Sequence, residues 1–80
     1  MKVRVTVTLK SGVLDPQGQA IGGALRSLGF FGVDGVRQGK IFDLDLDEVD
    51  ESQARGKVRA MCDKLLANTV IENYSIEIMH

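Results

Sequence analysis

Alternating apolar and polar residues open the chain and predict a β-strand over residues 2–9. A period of two built largely from β-branched residues is typical of a strand with one buried face. Ser11 and Gly12 end the pattern. The apolar positions that share the inward face are Val3, Val5, Val7 and Leu9.

A helix is predicted next, over residues 16–28. Asp15 suits its N-cap because the carboxylate can accept hydrogen bonds from free backbone N–H groups. Pro16 suits the first helical position because it has no N–H to leave unpaired, and Gly29 is the expected stop. The apolar stripe is predicted at Ala20 or Ile21, Ala24 or Leu25, and Leu28.

The composition of this first helix is unusual for so small a protein. Gly18, Gly22 and Gly23 together give up about 2–3 kcal/mol of helix propensity relative to alanine. Their missing side chains would let another backbone approach closely, from the chain's own sheet or from a partner chain. Leu14 precedes the helix without its usual local partner, since the fourth helical residue is the polar Gln19.

Residues 30–48 carry a second alternation, read as one or two strands. Gln38-Gly39 is either the turn of a hairpin or a glycine bulge in one long strand. Phe30 and Phe31 are adjacent and cannot both face inward from a strand, so one is expected to cap the core and the other to be exposed or to contact a partner. Ile41 is ambiguous. After it, the inward positions are Phe42, Leu44 and Leu46, opposite Asp43, Asp45 and Asp47.

A second helix is predicted over residues 51–67, followed by a last strand. Asp50 with Gln53 resembles a capping box, and Asn68 is the expected stop. The apolar stripe is predicted at Ala54, Val58, Met61 and Leu65, with Cys62 and Leu66 beside it. In the last strand the inward residues are Tyr74, Ile76 and Ile78, with Ser75 and Glu77 outward.

The elements predict one α+β domain, residues 1–80, in the order βαββαβ. This is a ferredoxin-like antiparallel sheet with two helices on one face. The other face is polar, and opposite charges on neighbouring strands would pair across it. A chain of 80 residues buries only about 60–65% of its unfolded surface, so association is expected to add buried area.

Charge and hydropathy make nucleic acid and membranes unlikely partners of this chain. The net charge is −1, from ten basic and eleven acidic residues, which leaves no positive excess to bind nucleic acid. No apolar run approaches the roughly 18 residues of a membrane span, and the opening residues do not read as a signal peptide. Cys62 is the only cysteine, which fits a reducing cytoplasm.

The motifs that could carry chemistry fit structural interpretations better. Asp43-x-Asp45-x-Asp47 lacks the glycine and glutamate of a calcium loop, and GVRQGK lacks the spacing of a phosphate loop. Arg37 and Lys40 still form a small basic cluster that could dock an acidic surface. Cys62 lies on an apolar helix face, and the only histidine, His80, is expected in a frayed terminus. No catalytic, cofactor or metal site is predicted.

Several segments in order resemble the PurS family, the small subunit of phosphoribosylformylglycinamidine synthase. They are VRVTVTLKSGVLDPQGQAI, ALRSLGF, VRQGK and CDKLLANTVIENYSIEI. Phe30-Phe31 stands where the family commonly has a single aromatic residue, and Thr69 stands where a proline often follows the asparagine. The resemblance covers the whole chain, and GVLDPQG is its most specific part.

This resemblance implies a role in the fourth step of purine biosynthesis. There, formylglycinamide ribonucleotide, ATP and glutamine give formylglycinamidine ribonucleotide, ADP, phosphate and glutamate. In the family, a large subunit uses ATP and magnesium, and a glutaminase subunit releases ammonia. The PurS-like subunit carries no chemistry, binds no cofactor, and bridges the other two as a homodimer or tetramer while ammonia passes through the complex.

The resemblance also suggests which residues form contacts in such a complex. The alternative is a free-standing regulatory domain that senses small molecules, a role the fold class also serves. The candidate interface residues are Leu14, Asp15, Pro16, Gln17, Gly18, Arg37, Gly39, Lys40, Asn68, Ile71, Glu72 and Tyr74.

Overall fold

The computed structural model describes residues 1–79, and the frayed terminus expected at His80 lies outside them. A three-stranded antiparallel sheet forms in the order β2-β1-β3, with two helices between its strands. The predicted α+β class is confirmed. The elements are β1 (Lys2–Leu9), α1 (Pro16–Ser27), β2 (Gly39–Asp45), α2 (Glu51–Met61), a π-helical turn (Cys62–Leu66) and β3 (Glu72–Met79).

The structure differs from the predicted order in having one strand, not two, between the helices, so the described residues follow βαβαβ. Neither the hairpin nor the long bulged strand considered at Gln38-Gly39 is present, since no strand lies between α1 and Gly39 and neither residue has the positive φ of a tight hairpin turn. Gly39 instead opens β2 opposite Thr8. A Cβ at Gly39 would lie 2.7 Å from the carbonyl oxygen of Val7, so the position has no room for a side chain.

The buried apolar side chains form one cluster between the sheet and α2. Met61 and Leu65, predicted for the stripe, are 36% and 83% exposed. The buried positions instead recur every four residues, at Ala54, Val58 and Cys62. The π-helical turn begins at Cys62, and in it the Ala67 N–H donates to the Cys62 carbonyl at 3.0 Å. The cluster comprises Val3, Val5, Val7, Ala54, Val58, Cys62, Ala67 and Ile78.

The helix ends follow the predicted signals with one difference. Gly29 has φ +93°, as a glycine after a helix C-terminus does, and the second helical segment ends before Asn68. The Asp50 carboxylate caps α2 by accepting from the Ser52 N–H at 3.1 Å. The expected capping-box partner was Gln53, one residue further along.

The other face of the sheet is polar and open, as predicted. Arg4 lies opposite Asp43 on β2 and Glu77 on β3. Its Nε donates to an Asp43 carboxylate oxygen at 2.8 Å, and this bond holds the pKa of Asp43 below its usual range. Asp43 and Asp45 therefore belong to a solvated strand face.

The helix α1 does not cover the sheet, and this is the main difference from the predicted packing. No α1 side chain belongs to the buried cluster, and α1 makes almost no contact with the strands. The radius of gyration is 16.0 Å, against about 12 Å for a compact domain of this length. Residues 12–37 therefore form an arm that projects from the sheet.

Candidate assembly surfaces

One groove gathers seven of the twelve candidate interface residues. It has a volume of about 310 Å³ and lies where β1 ends and where α1, β2 and β3 begin. We call it the junction groove. Its lining consists of Leu9, Val13, Leu14, Asp15, Pro16, Gln17, Gln38, Gly39, Ile71 and Glu72.

Asp15 ties the two ends of the arm together. Its Oδ1 accepts from the Gly18 N–H at 2.8 Å, which is the predicted N-cap bond, and its Oδ2 accepts from the Gln38 N–H at 2.7 Å. The side chain is 6% exposed. These bonds, from Gln38 first and Gly18 second, lower the pKa of Asp15. Asp15 is therefore an ionised, structural member of the groove.

Arg37 makes a second tie across the same place. Its Nη1 donates to the carbonyl of Val13 at 2.8 Å, and its Nη2 donates to the carbonyl of Lys10 at 3.1 Å. Both acceptors are neutral carbonyl oxygens, and the positive charge of Arg37 also helps to lower the pKa of the nearby Asp15 carboxyl. Arg37 thus fixes the direction of the arm and contributes positive charge beside the junction groove.

Lys40, Glu72 and Asn68 form a linked set at the start of β2 and β3. The Lys40 Nζ lies 3.7 Å from a Glu72 carboxylate oxygen, and 5.8 Å from the centre of the Phe42 ring. The other Glu72 oxygen accepts from the Asn68 N–H at 2.7 Å. Glu72 is consequently satisfied within the chain.

Tyr74 is a candidate that the structure places outside the junction groove. It lines a neighbouring shallow groove with Lys10 and Glu72. Its hydroxyl donates to Asp63 at 3.0 Å. Burial, and then this hydrogen bond to a carboxylate, raise the pKa of Tyr74.

The glycine flank of α1 packs against the arm's own returning segment. A Cβ at Gly18 would collide with the carbonyl oxygen of Val36, and one at Gly22 would lie 3.6 Å from a Val36 methyl group. Close backbone approach is therefore the reason for Gly18, as the sequence suggested. The approaching backbone is neither the sheet nor a partner chain.

The opposite flank of α1 and the tip of the arm are apolar and open. Ile21 is 41% exposed and Leu28 is 72% exposed. Phe30 and Phe31 are 58% and 79% exposed. The prediction that one of them caps the core is therefore wrong. This apolar side of the arm, which we call the arm stripe, is a second candidate contact surface.

Sequence reasoning did not place Lys10, Val13 or Val36 in a functional surface. Their contributions depend on contacts between segments about 20 residues apart, which no local pattern reports. Only the clustering of family-like motifs could have pointed to this neighbourhood.

Comparisons with known proteins agree with this arrangement along the length of the chain. Residues 2–80 match the family described as PurS: Phosphoribosylformylglycinamidine (FGAM) synthase. The chain is similar to the phosphoribosylformylglycinamidine synthase subunit PurS of Synechocystis sp., with 52% identity over 75 residues that cover 94% of this chain and 75% of that protein.

Two solved structures are similar in fold and sequence. Bacillus subtilis PurS superposes with a TM-score of 0.89 at 47% identity, covering 99% of this chain and 98% of that one. A chain in the structure of PurLQS from Thermotoga maritima gives a TM-score of 0.86 at 32% identity, covering 95% and 93% of the two chains.

Proposed function

We propose that this chain, which belongs to the PurS family and is a subunit of phosphoribosylformylglycinamidine synthase in purine biosynthesis, bridges two other subunits of that enzyme. These are the large subunit and the glutaminase subunit. The observation that carries the bridging role is the junction groove. Segments far apart in sequence that resemble the family converge there, around residues 14–17, residue 39 and residues 71–72. Such convergence suits a contact surface.

The chemistry is assigned to the other subunits. A glutaminase needs a nucleophilic thiol with an activating base. Cys62 is fully buried, and burial raises the pKa of its thiol, which disfavours the reactive thiolate. ATP and magnesium would be held by the large subunit, and this chain would hold the complex together while ammonia passes between active sites.

A free-standing sensing module is not favoured as an alternative. The family match spans residues 2–80, and a similar chain occurs in the PurLQS structure. A cytoplasmic location is also proposed, supported by the reduced, buried Cys62. Among residues 1–79, no helix is long and apolar enough to cross a membrane.

Self-association is part of the proposal, because the arm and the sheet each leave an apolar surface open. The arm stripe has no partner in its own sheet. On the sheet, α2 lies closest to β3, and the inward residues of β2 are only half-buried. In a two-fold dimer, the arm of each copy would cover the β2 side of the other's sheet. Those half-buried residues are Phe42 and Leu44, and Leu46 directly after the strand is half-buried beside them.

The dimer is tested by placing a charge on the arm stripe. Leu28→Asp should reduce the sedimentation mass of the free chain to that of a monomer at micromolar concentration. Val49→Asp is the matched control, because Val49 is 95% exposed outside the arm. A Leu28→Asp protein with unchanged mass would show that the stripe does not join two copies.

The bridging role is tested by co-purification with the large and glutaminase subunits of the same organism, together with an assay of glutamine-dependent activity. All three chains should elute as one complex. The bridging proposal is wrong if omitting this chain leaves the glutamine-dependent activity and the association of the other two subunits unchanged.

A further inference from the structure

The arm and the sheet leave two apolar surfaces uncovered within the same chain. On the arm, Ile21 and Leu28 of the arm stripe are 41% and 72% exposed. On the sheet, Phe42 and Leu44 of β2 are only half-buried, because α2 lies closest to β3. A monomer that kept both surfaces in water would lose much of the apolar burial available to a chain of 80 residues.

The outer edge of β2 is unpaired as well. Just beyond this strand, Met1 and Leu46 exchange two backbone hydrogen bonds, at 2.9 and 2.8 Å. Because the backbone groups of successive residues in an antiparallel strand point to opposite sides, those of Ile41, Asp43 and Asp45 point away from β1. Among residues 1–79, β1 is the only strand that pairs with β2. This edge can therefore accept a further strand.

The lengths of the segments allow the arm to fold back over its own sheet. The longest dimension of the chain is 48 Å, so the arm extends outward roughly along the strand direction: eight-residue β1 is about 27 Å long, and twelve-residue α1 is about 18 Å long. Residues 28–38 join α1 to β2 and can span up to about 36 Å. They can therefore run from the far end of β2 back to its start.

The base of the arm provides the hinge for this movement. Gly12 has φ +86° and precedes the arm's first helix. The hydrogen bond between Asp15 and Gln38 joins the two ends of the arm to each other. The Arg37 guanidinium joins the arm to the Lys10 carbonyl at 3.1 Å, and this bond is exposed to solvent. Water can replace such a bond at little cost, so it does not prevent the arm from turning.

We propose that the arm of an isolated monomer folds back over its own sheet. In this closed form the arm stripe covers the β2 side, and residues 30–37 pair with the open edge of β2 through a hairpin near Gln38-Gly39. The closed form has the βαββαβ order that the sequence predicts. In the dimer the arm of the other copy covers the same surfaces, as in domain swapping. The inference rests on the proposed self-association and adds its regulation, because a closed monomer must open before it can assemble.

Fluorescence energy transfer between two dyes on one chain tests this closure. The dyes are attached at Ser27→Cys, at the end of α1, and at Val49→Cys, beyond the far end of β2, and both positions are exposed. Cys62 is buried and stays unlabelled in the native protein. The dyes are about 40 Å apart when the arm is extended and less than about 20 Å apart in the closed form. Transfer should be high at picomolar concentration and should fall when unlabelled chain is added to micromolar concentration.

Two controls separate closure from other effects. Dyes at Asn73→Cys and Val49→Cys both lie outside the arm, so their transfer should not change when unlabelled chain is added. Adding Leu28→Asp to the chain labelled at Ser27 and Val49 should lower the transfer at picomolar concentration, because a carboxylate resists burial against the sheet. Val70→Asp, at an 81% exposed position outside the arm, should leave that transfer unchanged.

Low transfer at picomolar concentration would overturn the inference, because the arm of the monomer would then be extended. The mass of the unlabelled chain at micromolar concentration, measured by light scattering, tests the self-association separately. A dimer whose dissociated monomer shows low transfer would retain the self-association and refute closure. A chain that stays monomeric at micromolar concentration and shows high transfer would support closure and refute the self-association.

Discussion

Gly18 offers a sharp test of why the first helix contains glycine. Replacing it with alanine adds one methyl group, which in an unobstructed helix would increase stability by about 1 kcal/mol. At Gly18 the new Cβ would collide with the Val36 carbonyl oxygen and lie 2.7 Å from a carboxylate oxygen of Asp15. Overpacking a close contact typically costs about 1–3 kcal/mol.

The obstruction at Gly18 comes from backbone and from the buried cap, so neither can rotate away. The upper part of the overpacking range therefore applies, and the net effect of Gly18→Ala should be a loss of about 1–2 kcal/mol. Gly23→Ala is the matched control in the same helix, because its new Cβ would meet no atom within 4 Å beyond its chain neighbours and the backbone of its own helix. That variant should gain up to about 1 kcal/mol.

Urea unfolding followed by circular dichroism, at one fixed protein concentration, measures both variants. The two midpoints should move in opposite directions from wild type. A Gly18→Ala protein as stable as Gly23→Ala would refute the close packing between α1 and the returning segment. Helix propensity would then be the dominant contribution to the change in stability at both positions.

Three further outcomes follow from the same structure. The pKa of Asp15 is lowered in the folded state, so the ionised carboxylate stabilises the fold at pH values above the ordinary aspartate pKa, and this stabilisation is lost as pH falls below about 4. The free energy of unfolding of Asp15→Asn should therefore fall less than that of wild type when the pH is lowered below about 4. Val58→Ala removes a fully buried side chain and should cost about 2 kcal/mol in urea unfolding, whereas Val49→Ala at a 95% exposed position should be neutral. The buried Cys62 thiol should react with a thiol reagent only after denaturant is added, and rapid labelling of the native protein would contradict its burial.

The strands and their inward faces were predictable because a period of two identifies the buried side of a strand directly. The residues of β1 and β3 confirm this, with Val5 and Ile78 buried as expected. The second helix was predictable in position, but the π-helical turn at its end was not. That turn follows from tertiary packing around Cys62 and Leu66, which leaves Leu65 outside.

The placement of α1 could not be predicted from the sequence. An apolar stripe indicates that one face of a helix is covered, but it does not identify the surface that covers it. Ile21 and Leu28 were expected to face the chain's own sheet, and they are exposed instead. The junction groove was predictable only as a set of motifs. Its construction depends on Asp15 and Arg37 bonding to backbone far along the chain, which periodicity does not report.

Comparing ammonia with glutamine as the nitrogen source tests the central claim most directly. The large and glutaminase subunits are assayed for synthase activity with and without this chain, once with glutamine and once with ammonium salt. A bridging subunit without chemistry predicts that omission abolishes the glutamine-dependent rate and leaves the ammonia-dependent rate unchanged. Equal loss of both rates would contradict the account, because this chain would then be needed for the ligation step itself.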